Sequence, residues 1–175
     1  MRFLEGEDQV DINRFKRIFD RARMAALEIA QKAGITFYEI TELRFFTDEE
    51  EENSKESALW SWDDASKTSK IAMRRTADPE ALTHEIGHSL YHPSPLHDRN
   101  NEDSKYGDKF CNAFRYVLHP SKSKGWMQCD GGQYDAHKLV KKCPDLESFS
   151  KYFVELCNKK RQVGSKKRIL ELEGI

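Results

Sequence analysis

Two histidines lie four residues apart, the first followed at once by a glutamate: His84-Glu85-Ile86-Gly87-His88. On an α-helix, residues four apart sit one turn apart on the same face, so both imidazoles can reach one metal ion. Zinc suits this pattern, with His84 and His88 as ligands. Glu85 would sit beside the metal without ligating it. From there it can take the proton of an attacking water as general base and pass it to a leaving amine. The chemistry is peptide-bond hydrolysis, in which the metal polarises the carbonyl and holds the developing oxyanion. The plainer account is two helix histidines and a surface glutamate, with no metal.

A catalytic zinc needs a third protein ligand and one open position. The downstream candidates are His92, His97, Asp98, Glu102, Asp103, Asp108 and His119. His92 lies four residues past His88, a further turn round the helix, and competes for the same face. The metzincin pattern wants Gly and His three and six residues past the second ligand. Those positions hold Tyr91 and Ser94, which excludes that family. Tyr91, His92, Tyr106, Arg115 and His119 are candidates for steadying an oxyanion or the substrate. For each alone, a packed or solvated side chain is the plainer account.

The pattern works only if a helix carries it. Asp78-Pro79-Glu80-Ala81 predicts a helix start, with Asp as N-cap, Pro at the first position and Glu80 complementing the dipole. That helix runs to about Tyr91, because Pro93 and Pro95 end it. Gly87 in its middle predicts close packing against a neighbouring element. A second helix is expected over about 106–118, with Phe110, Phe114, Val117 and Leu118 on its apolar side.

Upstream, Ile12, Phe15, Ile18, Phe19, Ala22, Ala26, Ile29, Ala30 and Ala33 predict one amphipathic helix over 11–33, capped by Asp11 and ended by Gly34. Residues 35–46 predict one or two strands. Residues 58–62 and 69–75 predict two more, joined by a turn at 63–67. The acidic run from Asp48 to Lys55 is expected to be a solvated loop tip rather than a docking surface for a basic partner. Loops are expected over 93–105 and 120–133. Asp145 should cap a last helix bearing Leu146, Phe149, Tyr152, Phe153, Leu156 and Cys157, with a weak helical tail after Gly164. The clusters Lys159-Lys160-Arg161 and Lys166-Lys167-Arg168 suit charged helix ends better than a nucleic-acid contact.

The expected fold is therefore α+β, in one domain over 1–175. A small twisted sheet from 35–75 packs against the H-E-x-x-H helix. The 78–120 helices build the metal site, and N-terminal and C-terminal helices (11–33 and 121–175) surround it. The chain has 175 residues, 38% of them apolar, with ten Phe, six Tyr and three Trp, which excludes wholesale disorder. Its formal charge of -1 disfavours a protein that coats DNA by bulk charge. The N-terminus turns acidic before a signal-peptide core could form, and no apolar run is long enough to span a bilayer, so a soluble cytoplasmic protein is expected. Cys111, Cys129, Cys143 and Cys157 form no C-x-x-C pair and are expected to be reduced thiols.

The run His84 to Pro93, followed by Asp108-Lys109-Phe110-Cys111-Asn112-Ala113-Phe114, resembles the ImmA/IrrE metallopeptidases. These have an H-E-L-G-H-x-x-x-H helix, then a second helix that begins E-x-x-A-N-x-F-A and runs to L-L-x-P. The resemblance covers about 60–120, with Asn112, Phe114, Leu118 and Pro120 near their places. It implies that Asp108, standing for the family's metal-binding Glu, is the third zinc ligand. Cys111 stands where Ala is usual, and Pro120 comes one residue early. The alternative is that Asp108 caps the second helix while Glu102 or Asp103 ligates. The resemblance further implies a regulatory protease, of phages, mobile elements or stress responses, that cleaves a DNA-binding repressor or similar protein. The sequence carries no clear helix-turn-helix signal, so no direct nucleic-acid binding is expected and any DNA-binding partner would be a separate chain.

Three rival accounts remain. His97-Asp98 echoes the SprT and WLM crosslink-repair proteases, which would make His97 the third ligand. Asp103-Ser104-Lys105-Tyr106-Gly107 copies part of the aspzincin pattern. A non-catalytic binding module would hold zinc with its fourth position closed.

Overall fold

Apolar residues at three- and four-residue steps wind Gln9–Ala33 into helix α1, which begins two residues earlier than the pattern predicts. Gly34 ends it at φ +63°, and the Ile35 N–H bonds back to the Ala30 carbonyl, the 6→1 bond of a Schellman cap. This computed structural model describes residues 2–3, 9–97, 104–120 and 136–163.

The fold is α+β. Three principal strands, β2 (Glu39–Phe45), β3 (Ala58–Asp63) and β4 (Thr68–Met73), form a mixed sheet. The two-residue β1 (Arg2–Phe3) is added at one edge, giving the order β1-β2-β4-β3. β2 runs parallel to β4 with Leu43 opposite Ile71, and β3 runs antiparallel to β4 with Trp60 opposite Ile71. Ser69, Ile71, Ala72 and Met73 are all buried, as a strand covered on both faces requires. β3 is the edge strand on the opposite side from β1, and its Leu59 and Trp62 are exposed.

The acidic run is helical rather than a loop: Asp48–Asn53 forms α2. Thr47 and Glu50 make a reciprocal capping box, and four acidic residues fill the first turn, where the helix dipole favours negative charge. Arg44 grips both oxygens of Glu50 at 2.6 and 2.7 Å, and Arg74 pairs with Glu51 at 2.6 Å. No α2 residue is buried, so the element is solvated as expected, with a different backbone.

Helix α3 spans Ala81–Tyr91. Asp78 caps its approach, accepting the Glu80 N–H at 3.2 Å, and tight i→i−3 bonds carry the chain from Asp78 into the helix. Helix α4 covers Ser104–Leu118. Helix α5 (Ala136–Lys142) was not foreseen by the pattern. Helix α6 (Leu146–Val163) starts where Asp145 accepts the Ser148 N–H at 2.8 Å. Residues 121–133 of the predicted loop and the tail after Gly164 lie outside the described residues.

α3 packs against α1 and α4, and α4 against α5 and α6. The α4–α6 seam is aromatic, with Phe110 edge-on to Phe153 and Phe114 tilted against Phe149. Cys111, Cys143 and Cys157 are buried free thiols. Among the described residues, no helix is long and apolar enough to cross a membrane.

Candidate metal centre

Of the eleven residues of α3, nine are buried, and the two partly open ones are His84 and His88. A helix enclosed on nearly every side thus faces outward only along its i, i+4 histidine stripe. The two side chains keep 17% and 22% of their surface open.

Asp108 meets that stripe from the first half of α4. Its Oδ1 lies 3.3 Å from His84 Nε2 and 3.4 Å from His88 Nε2, and the two nitrogens are 3.2 Å apart. The three donors form a nearly equilateral triangle. A tetrahedral ion held at roughly 2.0–2.1 Å by nitrogen and oxygen donors separates them by about 3.3 Å. The donor set therefore fits zinc in chemistry and in spacing. Burial alone would raise the Asp108 carboxyl. The hydrogen bonds and charges of His84 and His88 outweigh it and hold the group well below the usual carboxylate range.

Two glycines let the helices come this close. A Cβ on Gly87 of α3 would stand 3.1 Å from the Cα and the sulfur of Cys111 on α4. A Cβ on Gly107 of α4 would stand 3.1 Å from the ring of Tyr91 on α3. Each helix thus gives up a side chain where the other presents one, which bears out the close packing expected at Gly87.

Further residues orient the histidines. Asn112, one turn past Asp108, sets its amide oxygen against His84 Nδ1. Trp60 of β3 stacks on His88, with ring centroids 5.5 Å apart and planes at 24°. Ser89 ties α3 to the sheet. Its hydroxyl accepts from Trp60 Nε1 at 2.8 Å and shares a 2.9 Å bond with Ser69, while its carbonyl accepts the Tyr38 N–H. Sequence reasoning assigned no role to Trp60 or Ser89. It used Asn112 only as a family landmark, although its place four residues after Asp108 puts both on one face of α4.

Glu85 is buried. Desolvation pushes its carboxyl up to about 7, with Asp108 and Glu56 adding to the rise and His88 opposing it. A carboxyl in that range is poised for proton transfer near neutral pH.

Comparison with protein-family models, curated proteins and solved structures finds no match for this chain.

The other candidates sit in varied surroundings. Tyr91 is buried, its ring stacked on Phe110 and its hydroxyl donating to the Leu96 carbonyl. His92 closes the C-terminal end of α3, 4.2 Å from Trp62 and 4.0 Å from His97, ring centroid to ring centroid. Arg115 pairs with Asp78 at 3.3 Å, and His119 Nε2 lies 2.9 Å from the Thr83 hydroxyl, so both meet the N-terminal half of α3 and its approach. Tyr106 lies in the first turn of α4, ahead of the residues whose side chains are described. Asp98, Glu102 and Asp103 lie outside the described residues.

From the sequence, Cys111 reads as a reduced thiol and as a departure from a family pattern, with no place at the metal site. Its sulfur belongs to a group with His84 and His88 whose ligand atoms lie within 4.8 Å of one another. Asp108 makes the tighter set with the histidines, and Cys111, three residues on, shares its face of α4.

Proposed function

We propose that this chain is a zinc-dependent endopeptidase of the ImmA/IrrE kind. The observation that carries the reading is the triangle of His84 Nε2, His88 Nε2 and Asp108 Oδ1, with edges of 3.2 to 3.4 Å. These three residues would hold the ion, which supplies a Lewis acid for the attacking water and the scissile carbonyl. Glu85 removes a proton from the water and delivers it to the departing amine nitrogen. Asn112 keeps the His84 proton on Nδ1, so that Nε2 offers its lone pair to the site. The indole of Trp60 limits how far the His88 ring can turn.

The substrate is a protein chain. The family resemblance narrows it to a DNA-binding repressor or a similar regulatory partner, read by this protein without nucleic-acid contacts of its own. The test is zinc per chain together with cleavage of a repressor-type substrate by wild type and by Glu85→Gln. Zinc at one per chain in both proteins, with cleavage only in wild type, is the expected result. Equal cleavage by both would overturn the catalytic assignment.

A second reading is favoured by one observation. The nearness of Cys111 to His84 and His88 offers a fourth protein donor. Four protein donors suit a structural zinc in a non-catalytic binding module. That module would keep its function in Glu85→Gln.

A further inference from the structure

We propose that Cys111 is a fourth metal ligand that closes the site in its resting form and must leave before a water can take its place. The proposal rests on the metal site described above and adds its regulation.

Three observations place the thiol there. Its sulfur and the ligand nitrogens of His84 and His88 lie within 4.8 Å of one another. Cys111 follows Asp108 by three residues on α4, so the helix that delivers the carboxylate delivers the sulfur to the same side. At Gly87, which lies between the two histidines in α3, the Cα, Cβ and sulfur of Cys111 come within 3.1–3.2 Å of where a Cβ would stand. The missing side chain of Gly87 therefore brings the thiol to the histidine stripe. The other described cysteines lack this setting: the Cys143 thiol donates to the Leu139 carbonyl, and Cys157 lies in the core beside α6 neighbours.

The geometry asks for little movement. Bond lengths of roughly 2.3 Å to sulfur and 2.0 Å to nitrogen put those atoms about 3.5 Å apart in a tetrahedron. Closing from within 4.8 Å takes about an ångström, less than a change of χ1 rotamer supplies. On ligation the thiol proton passes to solvent, and it returns when water displaces the sulfur. Two imidazoles, a carboxylate and a thiolate complete a tetrahedron, and the thiolate biases the site toward zinc over magnesium, calcium or manganese. Hydrolysis would then wait on sulfur departure, which a bound partner or modification of the thiol could drive.

Cobalt(II) loaded at one ion per chain reports directly on sulfur ligation, because a thiolate bonded to cobalt gives a ligand-to-metal charge-transfer band in the near ultraviolet. Wild type is expected to show the band. Cys111→Ala and Cys111→Ser, checked for folding by circular dichroism, should keep one cobalt, lose the band and bind the metal at least tenfold more weakly. One bound cobalt without the band in wild type would overturn the proposal while leaving the metal site standing. A band that survives in Cys111→Ala would also overturn it, since the sulfur would belong to another cysteine. Failure of wild type to bind cobalt at all would remove the proposed function along with it. If both variants fail to fold, absence of the band in wild type still overturns the proposal, and the band's persistence in each of Cys129→Ala, Cys143→Ala and Cys157→Ala assigns it to Cys111.

Discussion

The side-chain oxygen of Asn112 faces Nδ1 of His84 across the α3–α4 seam. A carbonyl oxygen can only accept, so Nδ1 carries a proton, and Nε2 is the nitrogen left to ligate a metal. Asn112→Ala should weaken zinc binding by about 10–100-fold, as loss of such an orienting partner typically does. Competition against a chelator of known affinity measures this. Unchanged affinity would mean that packing alone orients His84.

Gly87→Ala tests the helix approach. The new methyl meets the backbone of Cys111 as well as its side chain, so α3 and α4 must separate. Overpacking of this kind costs about 1–3 kcal/mol. Zinc affinity should fall with it, because Asp108 rides on α4. Adding Cys111→Ala removes the clash with the sulfur and leaves the clash with the backbone, so the double variant should recover only part of the lost stability. Full recovery would show that the side chain, and not the backbone approach, sets the spacing.

Much of this arrangement is legible from the sequence. Asp78-Pro79 and Pro93 bracket α3, Gly34 ends α1 and Asp145 opens α6, because caps and breakers act through a few neighbouring atoms. The acidic stretch of α2 misleads because its like charges suggest a solvated loop. What holds it helical is the Thr47–Glu50 capping box and ion pairs to Arg44 and Arg74, and Arg74 lies more than twenty residues from Glu51. Helix α5 is too short at seven residues to show a period. The strand order, with β4 between β2 and β3, depends on long-range pairing that no local pattern encodes. At the site, the two histidines and Glu85 follow from spacing alone. Asp108 needed a resemblance, and the places of Cys111, Trp60 and Ser89 emerge only when the elements meet.

Ser89 is fully buried and serves three partners from β3, β4 and the segment before β2. Ser89→Ala would leave the Trp60 indole N–H without its acceptor and the Ser69 hydroxyl with one bond fewer. An unsatisfied buried donor costs about 1–3 kcal/mol. Denaturant unfolding should show a loss of that size. The variant should also loosen His88, since Trp60 is the ring that stacks on it. A neutral substitution would mean that water reaches these groups.

Glu85 gives the sharpest prediction, because one residue bears on both catalysis and stability. If it is the general base, Glu85→Gln should cut turnover by about 10²–10⁴-fold while zinc content stays at one per chain. Its signature in the metal-free protein is separate. Burial raises the carboxyl from 4.5 to about 7 in the folded chain, so the folded state holds the proton more tightly than the unfolded state does. The resulting stability is fully present below the unfolded value and is lost as pH rises through the folded one. The gap corresponds to about 3 kcal/mol, lost mainly between about pH 5 and pH 7. Glu85→Gln carries no such proton, so its unfolding free energy should lack this component. The two proteins differ at this one side chain, so the difference between their curves isolates the glutamate. Parallel curves would show that water solvates Glu85 and would remove its claim to a raised, catalytically poised carboxyl. Adding zinc should flatten the wild-type curve over the same window, because a cation beside the carboxylate stabilises its charged form.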